Sequence, residues 1–398
     1  MSWKLPKLPL PKLVPRSAPI ILLILIFSAA VAFAAVSHLV ARFNANQQAR
    51  GHRLYAEGLA DASAAHYDDA IAAFRAALTC EPTNSQYQLS LARALRDSND
   101  PTQSHTRLDE AESYLTALWQ RTPQDAAVNL ALARVAAHRG NIEDATRYYH
   151  NAMYGVWNSA PDVNRNKARV ELIQFLLKQG APDKAESELI ALATALPPDP
   201  AAQLQAAQLF GQAHDDAGAL ARYREVLRLD PENIQALAGA GQAAYRSGNY
   251  VTAQKYLDEA VKRNPDDETS HHLLANTELI LRINPFHSHI SDAERNRRII
   301  AAFEQAEKRL TECAQQTGVD LKATPASTNS PLPALQVRWS AAAPQLANLR
   351  SPGETDLPDA LMDVIYQIEQ QTAAQCGPPQ GLDQALLLIS QKREAASQ

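Results

Sequence analysis

At 398 residues the chain is long enough for two domain-sized units or one extended repeat array. It is 46% hydrophobic but only 6% aromatic, has 14 glycines and is rich in alanine and leucine, a mix that favours helix over sheet. The net charge of −5 becomes −9 once the four cations of residues 1–17 are set aside, which argues against nucleic acid as a partner.

Those four cations, Lys4, Lys7, Lys12 and Arg16, stand without an acid in residues 1–17, as expected of a cytoplasmic tail. Ala18 to Ala41 then run for 24 residues without a charge, long enough for a transmembrane helix acting as a signal anchor. A cleaved signal peptide is the rival reading, because Ala-x-Ala triplets occur at Ala30–Ala32 and Ala32–Ala34. The apolar run exceeds a usual signal core and favours retention. Residues 42–50 read as a juxtamembrane linker carrying Arg42 and Arg50.

From Gly51 to Asp267 the sequence repeats every 34 residues, apart from one longer unit. The sixth unit, 234–267, places Leu237, Gly241, Gly248, Tyr250, Ala253, Leu257, Ala260 and Pro265 at set positions. The first, 51–84, matches them with Leu54, Gly58, Tyr67, Ala70, Phe74, Ala77 and Pro82. The third (126–159), fourth (166–199) and fifth (200–233) keep the frame through Ala133 and Ala145, Ala185 and Leu189, and Ala207 and Tyr223. The second keeps Ala92, Ala111, Leu115 and Pro123 around about seven extra residues near Asn99-Asp100-Pro101.

This pattern resembles the tetratricopeptide repeat (TPR) family over six full units and the first helix of a seventh, residues 51–281. The resemblance implies an all-α solenoid of antiparallel helix pairs stacked as a right-handed superhelix. Small residues at the eighth position (Gly58, Ala92, Ala133, Ala207, Gly241, Ala275) let paired helices approach, and Ile173 is the exception. In such folds positions 2, 5, 9, 12 and 13 of each first helix line an inner groove. Here those positions supply Tyr55, Arg93, Arg96, Arg134, His138, Lys167, Gln174, Lys178, Gln208, Gln242, Tyr245 and Arg246. A surface this rich in cations and amides is expected to hold a protein or peptide partner with acidic segments, the alternative being a solvated polar face. The family's carboxylate-clamp pattern of asparagines is not present.

Residues 282–398 read as a C-terminal helical cap. Asn284-Pro285 breaks the seventh unit, and Ser291 with Glu294 makes a capping box. The helix it opens carries Ile299, Phe303, Ala306, Leu310 and Cys313 on one stripe. A Pro/Ser/Thr-rich linker at 318–333 leads to helical segments near 334–349, 357–375 and 382–394. Cys313 and Cys376 are the candidate disulfide in an oxidising compartment, the alternative being two buried thiols, whereas Cys80 belongs to the first repeat. His271, His272, His287 and His289 lack carboxylate or cysteine companions at ligand spacing, so no metal is expected, and His271 reads as a core imidazole.

No nucleophile elbow, zinc-protease helix, phosphate loop or haem-attachment motif occurs, so neither catalysis nor a cofactor is expected. Asp356, Asp359, Asp363 and Glu369 are the carboxylates an enzyme or regulatory subunit would use, and solvated helix faces explain them. The expected protein is a single-pass, membrane-anchored scaffold of the bacterial inner membrane with its repeats in the periplasm. Its architecture resembles the anchored repeat subunits of secretion, envelope-assembly and cytochrome-maturation machineries. A secreted repeat protein is the alternative.

Overall fold

A computed structural model describes residues 18–98, 104–327, 329–350 and 356–397. The cationic tail (1–17) and the Asn99-Asp100-Pro101 insertion lie outside the described residues. The described residues are all-α, with a single isolated bridge, between Asp125 and Val156. They form two compact units, divided between Phe175 and Leu176.

The first unit begins with α1 (Ala18–Ser63), one unbroken helix of 46 residues. At about 1.5 Å per residue it is roughly 69 Å long, more than twice a bilayer's hydrocarbon core. Its large apolar side chains from Ile21 to Phe43 are all exposed. Residues 42–50, read above as a linker, continue the helix. From Gly51 onward the same helix serves as the first helix of the first repeat, packing on α2 (Tyr67–Cys80).

That packing shows why the eighth position is small. A Cβ on Gly58 would lie 2.7 Å from two ring carbons of Phe74, the position-24 residue of α2. In the second unit a Cβ on Gly241 would lie 2.6 Å from Leu257, the same pair of positions in the sixth repeat. Gly58→Val should therefore lower stability by about 2 kcal/mol through overpacking. A urea melt checks it, and an unchanged midpoint would show that the glycine is not needed for close approach.

The pairs continue through α3 (Ser85–Asp97), α4 (Ser104–Arg121), α5 (Ala126–His138), α6 (Ile142–Tyr154) and α7 (Pro161–Lys178), inside which the boundary between units falls. A continuous core from Ala70 to Val135 runs through α2–α5 and includes Phe74, Leu91, Leu115 and Leu132. The repeat also writes its own helix starts. Asn84, Asp125 and Asn141 each accept a hydrogen bond from a backbone N–H in the first turn that follows. Asp199, Asp215, Asn233, Asn249 and Asp267 do the same in the second unit. Each such cap is worth about 1 kcal/mol.

A second recurring device fixes the turns between repeats. The side-chain amides of Gln88, Asn129 and Gln203 donate to the carbonyls of Pro82, Pro123 and Pro197, each six residues earlier. His271 occupies the equivalent place, with Nε2 2.9 Å from the Pro265 carbonyl. It is exposed, which corrects its reading as a core imidazole: its ring serves the turn and lies outside the core.

The second unit holds α8 (Pro182–Ala195), α9 (Pro200–Gln212), α10 (Asp216–Leu229), α11 (Ile234–Arg246), α12 (Tyr250–Arg263) and α13 (Glu268–Ile283). The cap follows as α14 (Asp292–Thr317), α15 (Leu332–Ala342), α16 (Leu357–Cys376) and α17 (Gly381–Ser397). Ser291 Oγ accepts from the Glu294 amide at the start of α14, one half of the expected capping box, while the Glu294 carboxylate pairs with Arg297 and Arg298. Between α14 and α15 lies a short 3₁₀ turn at Pro325–Ser327. Tyr250, Ile280, Phe303, Leu335, Ile365 and Ile389 share one core, so the cap helices bury the face that α12 and α13 would leave open. Within that core Cys313 and Cys376 stand with Cα atoms 5.8 Å apart and their sulfurs at bonding distance.

Candidate functional site

The residues expected to line a groove divide between the two units. In the first, Tyr55 on α1 stacks on Tyr87 of α3 at 4.7 Å between ring centroids and reaches Ser90 through its hydroxyl at 3.1 Å. Three arginines gather nearby. Arg96 grips Asp97 with two hydrogen bonds of 2.7 Å. Arg134 makes a bidentate pair with Glu171 at 2.6 and 2.7 Å.

Arg93 sits between these pairs and has no carboxylate at ion-pair distance among the described residues, and its Nε finds no hydrogen-bond acceptor. Burial, followed by the charges of Arg134 and Arg96, pushes its pKa below the usual arginine value. A guanidinium does not lose its proton near neutrality, so the shift marks a spot of uncompensated positive potential. Tyr149, beside Glu171 and Arg134, is pushed up to about 12, chiefly by burial, and stays a neutral donor. An oxyanion brought to Arg93 would meet a charged, half-dry donor, where charge-assisted hydrogen bonds are strongest.

His138, Lys167 and Gln174 are exposed and complete the first unit's set. In the second unit Lys178, Gln208 and Gln242 are exposed, and Tyr245 lies edge-on to Tyr250 at 5.7 Å. Arg246 is held by Asp216 at 2.6 Å. The cationic tally over-counted the free charge: Asp97, Glu171 and Asp216 already neutralise three of the arginines. Asp97 was within reach of the sequence reading, since it fills position 13 of the second repeat. Glu171 and Asp216 stand at positions 6 and 17, off the groove register, and carried no such signal.

The cap carboxylates form no common site. Asp359 is paired with Arg393, Asp356 and Asp363 are exposed, and Glu369 is fully enclosed. Its enclosure corrects the reading of Glu369 as part of a solvated face. Both its carboxyl oxygens lack a hydrogen-bond partner, and burial, then the charge of Asp383, pushes its pKa up to about 9. No group of three or more potential metal ligands occurs among the described residues.

Family models described as tetratricopeptide repeat match residues 55–104, 104–154 and 212–277. No curated protein matches the sequence. Among solved structures the chain is similar to YrrB, "a TPR protein with an unusual peptide-binding site", at 19% identity over 50% of this chain and 96% of that one, with a TM-score of 0.37. It is also similar to Pseudomonas aeruginosa pilF, at 15% identity over 58% and 99% of the two chains and a TM-score of 0.40. The type IV pilus biogenesis factor PilW gives 18% identity, 56% and 98% coverage and a TM-score of 0.40.

Proposed function

This chain is a tetratricopeptide-repeat protein, and from that premise we propose that it works as a membrane-anchored scaffold holding an acidic segment of a partner protein. The observation that carries the reading is Arg93: a half-buried guanidinium with no carboxylate at ion-pair distance among the described residues, flanked by two arginines that have one. A partner carboxylate would supply the missing charge, with the half-buried Tyr55 ring on α1, backed by buried Tyr87, offering apolar surface. Exposed Lys167 and Gln174 would add weaker contacts, and Lys178, Gln208, Gln242 and Tyr245 would play the same part on the second unit.

The anchor is α1. Its exposed apolar stretch has the length and composition to cross a bilayer, and no break separates it from the first repeat. A continuous helix would hold the repeats close to the membrane at a fixed angle. We place the repeats in the periplasm of a bacterium, with residues 1–17 in the cytoplasm, because the cationic end of a signal anchor stays inside. A sulfur pair at bonding distance in the cap suits an oxidising compartment. Fractionation of producing cells should recover the full-length chain in the membrane. A soluble form beginning near residue 35 would replace this with the secreted reading.

Photo-crosslinking tests the binding site. A photo-reactive residue at Gln174 should capture an acidic segment, and Arg93→Glu should cut the yield at least tenfold, because it turns attraction into repulsion. Arg246→Glu, which disturbs an already neutralised pair, should do much less. Equal yields from wild type and Arg93→Glu would remove the arginine from the interface.

A further inference from the structure

The second unit contains a cavity of about 460 Å³, lined by the start of α12, the turn after α13, and α16 and α17. Its volume falls within the range of small-ligand pockets. Tyr250, Leu281, Phe286 and Ile389 give it apolar walls. Two polar groups in the lining have unspent capacity.

The first is the Tyr366 hydroxyl. The residue is 5% exposed, and its oxygen makes no hydrogen bond of normal geometry. The Arg393 guanidinium stands beside the oxygen as a donor and favours ionisation, but burial outweighs it and leaves the hydroxyl proton, without an acceptor, to be donated at neutral pH. The second is the Lys392 ammonium, which donates to the Gly248 carbonyl and lies 5.5 Å from the centre of the Tyr250 ring. No carboxylate among the described residues stands within ion-pair distance of it. Its neighbour Arg393 is neutralised by Asp359 and lies over the Phe286 ring at 4.9 Å.

We propose that this cavity binds an apolar group that carries a single carboxylate, such as the last residue of a polypeptide or a free organic acid. The exposed Lys392 ammonium and a buried hydroxyl proton with no acceptor, both donors at the same cavity, ask for one acceptor of single negative charge. A phosphate dianion would remain half-neutralised. A cationic ligand would meet Lys392, and a neutral apolar one would leave both donors without a partner. The aromatic and aliphatic walls then take the body of the ligand.

The test uses the full chain in lipid nanodiscs and titration calorimetry with three probes: N-acetyl-glycyl-phenylalanine with a free carboxylate, its C-terminal amide, and octanoate. The free acid should bind at least tenfold more tightly than the amide. Lys392→Met and Tyr366→Phe should each weaken binding about tenfold while the protein still unfolds in a cooperative thermal transition. The capped dipeptide binding better than octanoate would identify a chain end as the ligand, and the reverse order would identify a free acid. Equal binding of acid and amide, or binding that neither substitution alters, would overturn the proposal.

Discussion

Replacing Glu369 with glutamine should stabilise the C-terminal unit by about 2–3 kcal/mol at pH 7 and flatten its dependence on pH. Glu369 is fully buried on α16, and neither carboxyl oxygen has a hydrogen-bond partner. Burial and the nearby Asp383 push its pKa up to about 9, against a partial counter-effect from Arg309. The folded chain thus keeps a proton that the unfolded chain loses near pH 4.5. Below that pH the two states are matched and the unit is at its most stable. Above it, stability falls by about 1.4 kcal/mol per pH unit until the folded group ionises near 9. The accumulated loss is roughly 3 kcal/mol at neutrality, of which glutamine recovers most, since its buried amide also lacks partners. Asp383 is raised in the same direction, by burial first, although Gln305 donates to it at 2.9 Å, so some slope should persist in the variant. Amide exchange in α16, compared between the two proteins at each pH from 5 to 8.5, is the measurement. Parallel curves would show that Glu369 carries no extra proton in the folded state.

The repeat was legible because its demands are local and recur. A small residue facing a large one, a polar cap before most helices and a proline after most pairs are visible in the repeat frame, and the structure puts Gly58 against Phe74 as that logic requires. Partnerships were harder to read. Nothing in the register brings Glu171 to Arg134 or Asp216 to Arg246, because each pair joins positions on different helices that only packing makes neighbours. Residues 42–50 looked like a linker because they are polar, yet they contain neither glycine nor proline. Polarity ends burial without ending a helix, and good helix formers such as Ala45, Gln47, Gln48 and Ala49 carry α1 through. Glu369 misled for the opposite reason. It follows Ile365 at a spacing of four and shares that stripe, so helical period places it inward, whereas charge alone suggested the surface.

Reducing the Cys313–Cys376 pair should cost the same unit about 4 kcal/mol, the chain-entropy value for a loop spanning 63 residues. The closed loop contains α15 and joins the inner end of α14 to the last residue of α16, the helix that also bears Glu369. Two opposed terms of similar size therefore act on one helix at neutral pH. The covalent link offsets what the buried carboxyl takes away, and total stabilities of domains are only about 5–15 kcal/mol. Reduction should accordingly hurt most at high pH, where Glu369 is most costly, and least below pH 5. Cys376→Ser should behave like the reduced wild type, and adding Glu369→Gln to it should restore about half of the loss. The measurements are urea melts with and without reductant, alongside thiol counting by alkylation and intact mass. Two alkylatable thiols at these positions in protein recovered from its native compartment would show that α14 and α16 are held by packing alone.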